Sequence, residues 1–204
     1  MDFPWDESRR AFTDAAEWFV HTSALVGDRW DRPGLGEWDV RALVGHTSRS
    51  LLTVETYLAR PAAAVEVASA AEYFRATRAA AASPAVAARG RDAGTALGTE
   101  PAGVVAEIAA RVIPVVDAHH GSELVTTVAG GMRLRDYLPT RTFELAVHTA
   151  DLAKALGLPA DVPDTAALQA LEIVADLAVA GGVAGSLLLA ATGRPGLPPG
   201  FSVL

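Results

Sequence analysis

Apolar residues recur at helical spacing along nearly the whole chain. Glu7 to Val26 reads as a first helix, with Phe12, Ala15, Phe19, Thr22 and Val26 on one stripe and Trp18 and Leu25 widening it. Trp30 to Trp38 is broken by Pro33, Gly34 and Gly36 and reads as a turn-rich loop. Asp39 then fits an N-cap, with Trp38 and Leu43 at the spacing of a hydrophobic staple. A second helix follows from Val40 to about Ala59, burying Val40, Leu43, Val44, Leu51, Val54 and Leu58. Within it, Gly45 costs helix stability and makes sense if another helix comes close beside His46.

Further helices are expected over Ser69 to Ala81, Pro84 to about Ala96 (with Ser83 as cap and Pro84 at the first position) and Pro101 to about Ala118, where Pro114 would kink or end the regular part. In the second of these, Arg89 to Asp92 reads as solvent-facing, and Gly94 and Gly98 weaken the pattern. Glu123 to Leu134 is the one strand-like stretch and predicts a small hairpin around Gly130-Gly131. Asp136 to Thr140, interrupted by Pro139, leads into a helix from Arg141 to Gly157. Asp164 reads as the N-cap of Thr165 to Val179, with Leu168, Leu171, Val174, Ala175 and Ala178 as its core face. Gly185 to Ala191 makes one more short helix before a Pro/Gly-rich tail.

The helix from Arg141 reverses the usual surface pattern. Arg141, Glu144, His148 and Asp151 share one stripe, and almost everything else up to Leu156 is apolar or small. That predicts a central helix with a thin polar seam inside a bundle, where ionisable groups must be paired or bind a metal. Glu144 and His148 are one turn apart on the same face, a spacing at which a carboxylate and an imidazole can hold one ion. His46 could add a third ligand from the second helix. A His/Glu/His set suits zinc, and less well nickel, manganese or iron, and three protein ligands leave a position open, as in catalytic sites. Arg141 and Asp151 would then support the ligands or an anionic ligand; their plainer role is an ion pair within the helix.

The other candidates carry plainer readings. His21 reads as an exposed or hydrogen-bonded histidine. His119 and His120, adjacent on a helix, point apart and suit the negative end of the helix dipole better than a metal. Arg75 and Arg78 could meet an anionic substrate or simply be solvated.

Composition narrows the class. The 204 residues, half hydrophobic and only 6% aromatic, are expected to form one all-α domain spanning 1–204. A net charge of −7 and an isoelectric point near 5.2 argue against a nucleic-acid partner. No stretch approaches a membrane span. Met1 to Arg10 lacks the pattern of a secretory signal, so a cytoplasmic location is expected. With no cysteine, any thiol chemistry must use a thiol brought by another molecule.

Three segments, WDRPGLGEWDVRALVGHTSRSL from Trp30, RTFELAVHTADLAKALG from Arg141 and LLLAATGRPG from Leu187, resemble the mycothiol-dependent maleylpyruvate isomerase-like family. That family lies within the wider DinB-like group of metal-binding four-helix bundles. The resemblance implies a DinB-like bundle with additional short helices, and His46, Glu144 and His148 as ligands of a metal, usually zinc. It also implies mycothiol, the sugar-linked cysteine thiol of actinobacteria, as cosubstrate. The expected activity is isomerisation of, or S-transfer to, a small electrophile by a monomer or homodimer. Isomerases of this family carry a further C-terminal domain that helps form the substrate site. The chain is expected to lack it, which favours S-transfer to another electrophile over maleylpyruvate itself. The competing classes are a non-catalytic metal-binding bundle that senses or serves a partner, and a metal-dependent hydrolase using a metal-bound water.

Overall fold

The structure, a computed structural model, describes residues 3–81, 83 and 85–204. Its helices are α1 (Trp5–Ala24), α2 (Val40–Leu58), α3 (Ala70–Ala81), α4 (Ala85–Ala96), α5 (Pro101–Asp117), α6 (Leu134–Leu156), α7 (Asp164–Ala180) and α8 (Ala184–Ala191). Two short antiparallel hairpins, β1 (Pro33–Leu35) with β2 (Trp38–Asp39) and β3 (Leu124–Thr127) with β4 (Gly130–Arg133), complete it. The protein is therefore all-α with small hairpins. Pro84, expected at the first position of α4, lies outside the described residues.

Four helices make the bundle. α5 and α6 each pack on both α1 and α2, so apolar stripes from all four meet in one core. Phe12, Phe19, Leu43, Leu51, Leu138, Leu145 and Leu152 are fully buried there. α7 lies outside against α1 and α6, α3 against α6, and α8 against α7. α4 packs closely along α2. The reason is glycine on both sides. A Cβ on Gly45 would stand 2.1 Å from Gly94 N, and one on Gly94 would stand 2.7 Å from the Arg41 carbonyl oxygen. The helical glycine that looked costly in sequence is what lets the two backbones touch, as expected beside His46.

Several sequence expectations change. The turn-rich loop before α2 contains a real hairpin, β1–β2, with a register irregularity between Pro33 and Leu35. Asp39 caps α2 as expected, accepting from the Ala42 N–H at 2.7 Å. Pro114 neither ends nor interrupts α5, which continues to Asp117. The lead-in to the central helix is itself helix: α6 starts at Leu134, directly after β4, and runs through Pro139. Pro139 sits in the second turn, so only one intrahelical bond is forfeited. Burial of Leu134, Tyr137 and Leu138 outweighs it. Gly157 ends α6 with φ at 72°, and the Leu158 N–H turns back to the Ala153 carbonyl at 2.8 Å.

The core face of α7 differs most. Ala166, Ala170, Ile173, Leu177 and Ala178 are buried, whereas Leu168 and Leu171, expected inside, are 65% and 64% exposed. Asp164 is the first helical residue rather than the cap. Leu25 is likewise outside the α1 stripe.

Candidate metal centre

The polar seam of α6 passes from the interior towards solvent. Arg141 is buried, while Glu144, His148 and Asp151 are half-buried. α2 crosses α6 and places His46 opposite Glu144 and His148. One donor atom from each of these three residues lies within 4.8 Å of the others. Among the described residues this is the group of His, Asp and Glu side chains compact enough to hold a metal ion.

Each member has a local cause. His148 Nε2 lies 3.2 Å from Glu144 Oε2, as residues four apart on a helix allow. Its other nitrogen, Nδ1, lies 3.2 Å from Asp151 Oδ2. Asp151 therefore favours the tautomer with the proton on Nδ1 and leaves the Nε2 lone pair on the side of Glu144. The His46 and His148 rings stand edge to face at 4.9 Å. Among the described residues His46 Nδ1 is buried with no hydrogen-bond partner, and an imidazole left unpaired in this way beside two other donor groups fits a ligand residue.

The electrostatics agree with a cluster built for a cation. Burial, then the neighbouring His148 charge, lowers His46 to about 4, so it is neutral near pH 7. Burial would raise Glu144, but its hydrogen bond with His148 and the Arg141 charge outweigh that and hold it ionised. Burial would also lower His148, but Asp151 and then Glu144 outweigh it and raise it to about 9. Without an ion, a proton on His148 thus takes the place of the cation between the carboxylates.

Arg141 sits one turn before Glu144 but does not reach towards it within ion-pairing distance. Its guanidinium lies over the rings of Tyr73 and Tyr137, at 5.4 and 5.1 Å from their centroids. Its Nε donates to Thr140 Oγ1 at 3.0 Å. Its charge helps keep Glu144 ionised without neutralising it by contact.

The remaining candidates lie apart from this group. His21 is exposed on α1 and His120 is exposed after α5. His119 Nδ1 makes a 2.6 Å contact to the Val115 carbonyl at the end of α5, which matches the helix-terminus reading. Arg75 and Arg78 are exposed on α3, and Arg78 reaches the Leu204 carbonyl at 3.2 Å. Three aromatic neighbours of the site escaped the sequence reading: Tyr73, Tyr137 and Trp38. For Trp38 the signal was present, an aromatic directly before a helix cap, but it pointed to Leu43. The indole also packs on the His46 ring at 4.5 Å.

The mycothiol maleylpyruvate isomerase N-terminal domain family matches residues 9–153. The chain belongs to that family. The match spans α1 to most of α6 and takes in His46, Glu144 and His148. No curated protein and no solved structure matches the chain. No helix among the described residues is long and apolar enough to cross a membrane.

Proposed function

We propose that the protein is a metal-dependent enzyme that uses mycothiol to modify a small electrophile, by S-transfer or by isomerisation, with zinc as the ion. The observation that carries this reading is the convergence of His46 from α2 with Glu144 and His148 from α6 into one compact donor set. Membership of a family described by mycothiol and maleylpyruvate isomerase supplies the thiol and the reaction class.

The donor set suits the group. Two imidazoles and one carboxylate are the ligands of a borderline ion such as zinc, and three of them leave room for a fourth ligand. A divalent ion held there supplies the positive charge that keeps a thiol ionised at neutral pH, where a free thiol near pKa 8.5 is mostly protonated. The chain's own residues do the rest. His46 is already neutral and offers a lone pair. Asp151 holds the Nδ1 proton of His148 and so aims Nε2. Arg141 maintains the Glu144 charge from its aromatic box. With no cysteine in the chain, the reacting sulfur comes from the cosubstrate.

The test is metal analysis of the purified protein, followed by mycothiol consumption with chloronitrobenzene as model electrophile. One ion per chain and formation of the S-conjugate are expected. An ion bound without thiol turnover would replace this reading with a non-catalytic metal-binding bundle. Ester cleavage without any thiol would replace it with a hydrolase.

A further inference from the structure

The structure assigns Trp38 to the site: we propose that its indole is the positioning element for His46, and that α4 acts on the metal centre through it. This rests on the reading of His46 as a ligand.

His148 and His46 are held in different ways. A ligand histidine usually has its second nitrogen fixed by a hydrogen bond, and Asp151 does this for His148. Among the described residues His46 has no such partner at Nδ1. Its ring is bounded instead by aromatic surfaces. Trp38 lies along it at 4.5 Å with the planes 33° apart, and His148 meets it edge to face at 4.9 Å. Trp38 also approaches His148, at 6.5 Å and 71°. The indole therefore lies against both imidazoles and restricts the rotation of the one that no polar group holds.

Trp38 is itself fixed from α4. Its Nε1–H donates to the Ala87 carbonyl at 3.1 Å. Its Nε1–Cε2–Cζ2 edge presses on Gly90 so closely that a Cβ there would stand 2.5 Å from the indole. One turn further on, Gly94 meets Gly45, in the residue before His46. Gly90 and Gly94 thus form a flat strip on α4 that seats the indole and the α2 backbone together. A helix that contributes no ligand becomes part of the ligand's support.

The experiment compares the wild type with Trp38→Phe, Trp38→Ala and Gly90→Ala. Zinc affinity is read by competition titration, and the His46 ring protons by NMR in the metal-free protein. Trp38→Ala should weaken zinc binding roughly 10- to 100-fold, the range for losing the support of a ligand histidine. Trp38→Phe, which keeps an aromatic face, should restore affinity to within about threefold of wild type. Gly90→Ala removes no donor and no aromatic ring, and should weaken binding by displacing the indole from its seat. In the metal-free wild type, His46 protons should show upfield ring-current shifts that Trp38→Ala abolishes. Wild-type affinity in both Trp38→Ala and Gly90→Ala would overturn the role of Trp38 while leaving the ligand set standing. So would unshifted His46 resonances. A wild-type protein that takes up no zinc would overturn the metal reading and this one together.

Discussion

Helices α6 and α7 pack against each other and are both dominated by apolar residues, yet they are used in opposite ways. α6 is surrounded by α1, α2, α3 and α7, and Glu144, His148 and Asp151 line up along it at the candidate metal centre. α7 lies at the edge, buries three alanines beside Gln169, Ile173 and Leu177, and turns Leu168, Leu171 and Val179 outward. The difference shows what fixes a helix's rotation about its axis. In α6 a thin polar stripe does so, because buried charge tolerates few orientations. In α7 the apolar residues surround the helix, so hydrophobicity alone permits several orientations. Close packing then decides: Ala166 and Ala170 let α7 approach the bundle, and Gln169 turns inward because its amide donates to Ser8 Oγ at 3.0 Å.

The sharpest way to break this comparison is at the stripe. His148→Ala should reduce bound metal from one ion per chain to near zero, while the far-ultraviolet circular dichroism stays that of the wild type, since the core of Phe12, Leu43, Leu51 and Leu145 is untouched. A variant that keeps its full metal content would remove His148 from the ligand set. The next effect separates the two faces of α7. Leu177→Ala, at a side chain 4% exposed, should cost about 2–4 kcal/mol in denaturant unfolding. Leu171→Ala, 64% exposed, should cost less than about 0.5 kcal/mol. Equal costs would mean that the outward face is covered in solution.

The smallest effect per step is that of pH on the stripe. His148 is raised to about 9 in the metal-free protein and His46 lowered to about 4. Metal uptake between these values must therefore displace the His148 proton and none from His46. Apparent affinity should rise about tenfold per pH unit from pH 6 to 8 and level off near 9. Titration calorimetry in buffers of different ionisation enthalpy would show about one proton released per ion. The same raised value makes the opposite prediction for stability without metal. The His148 contribution is complete below the unfolded value near 6.5 and lost as pH rises through about 9. A flat affinity profile over pH 6 to 8 would show that His148 gives up no proton to the ion.

Much of the architecture is legible residue by residue, because local signals and tertiary need agree. The cap at Asp39, the stripe of Phe12, Ala15 and Phe19, and the stop at Gly157 each depend on neighbours only a few positions away. Where the reading failed, distant contacts were in control. Pro139 looked like a boundary, but burial of the residues around it carries α6 back to Leu134. Trp38 looked only like a staple on Leu43, and the glycine seat that α4 offers its indole beside His46 was missed.

By itself the sequence determined that the chain would be helical, that Glu144 and His148 would share a face one turn apart, and that no thiol of its own could take part. Helical period and composition are enough for those. Only the tertiary structure decided that His46 joins them, that Arg141 is enclosed between tyrosines, and that α7 turns its leucines outward. Those outcomes depend on how closely particular helices approach, which is set by side-chain volumes at contacts between segments far apart in the chain.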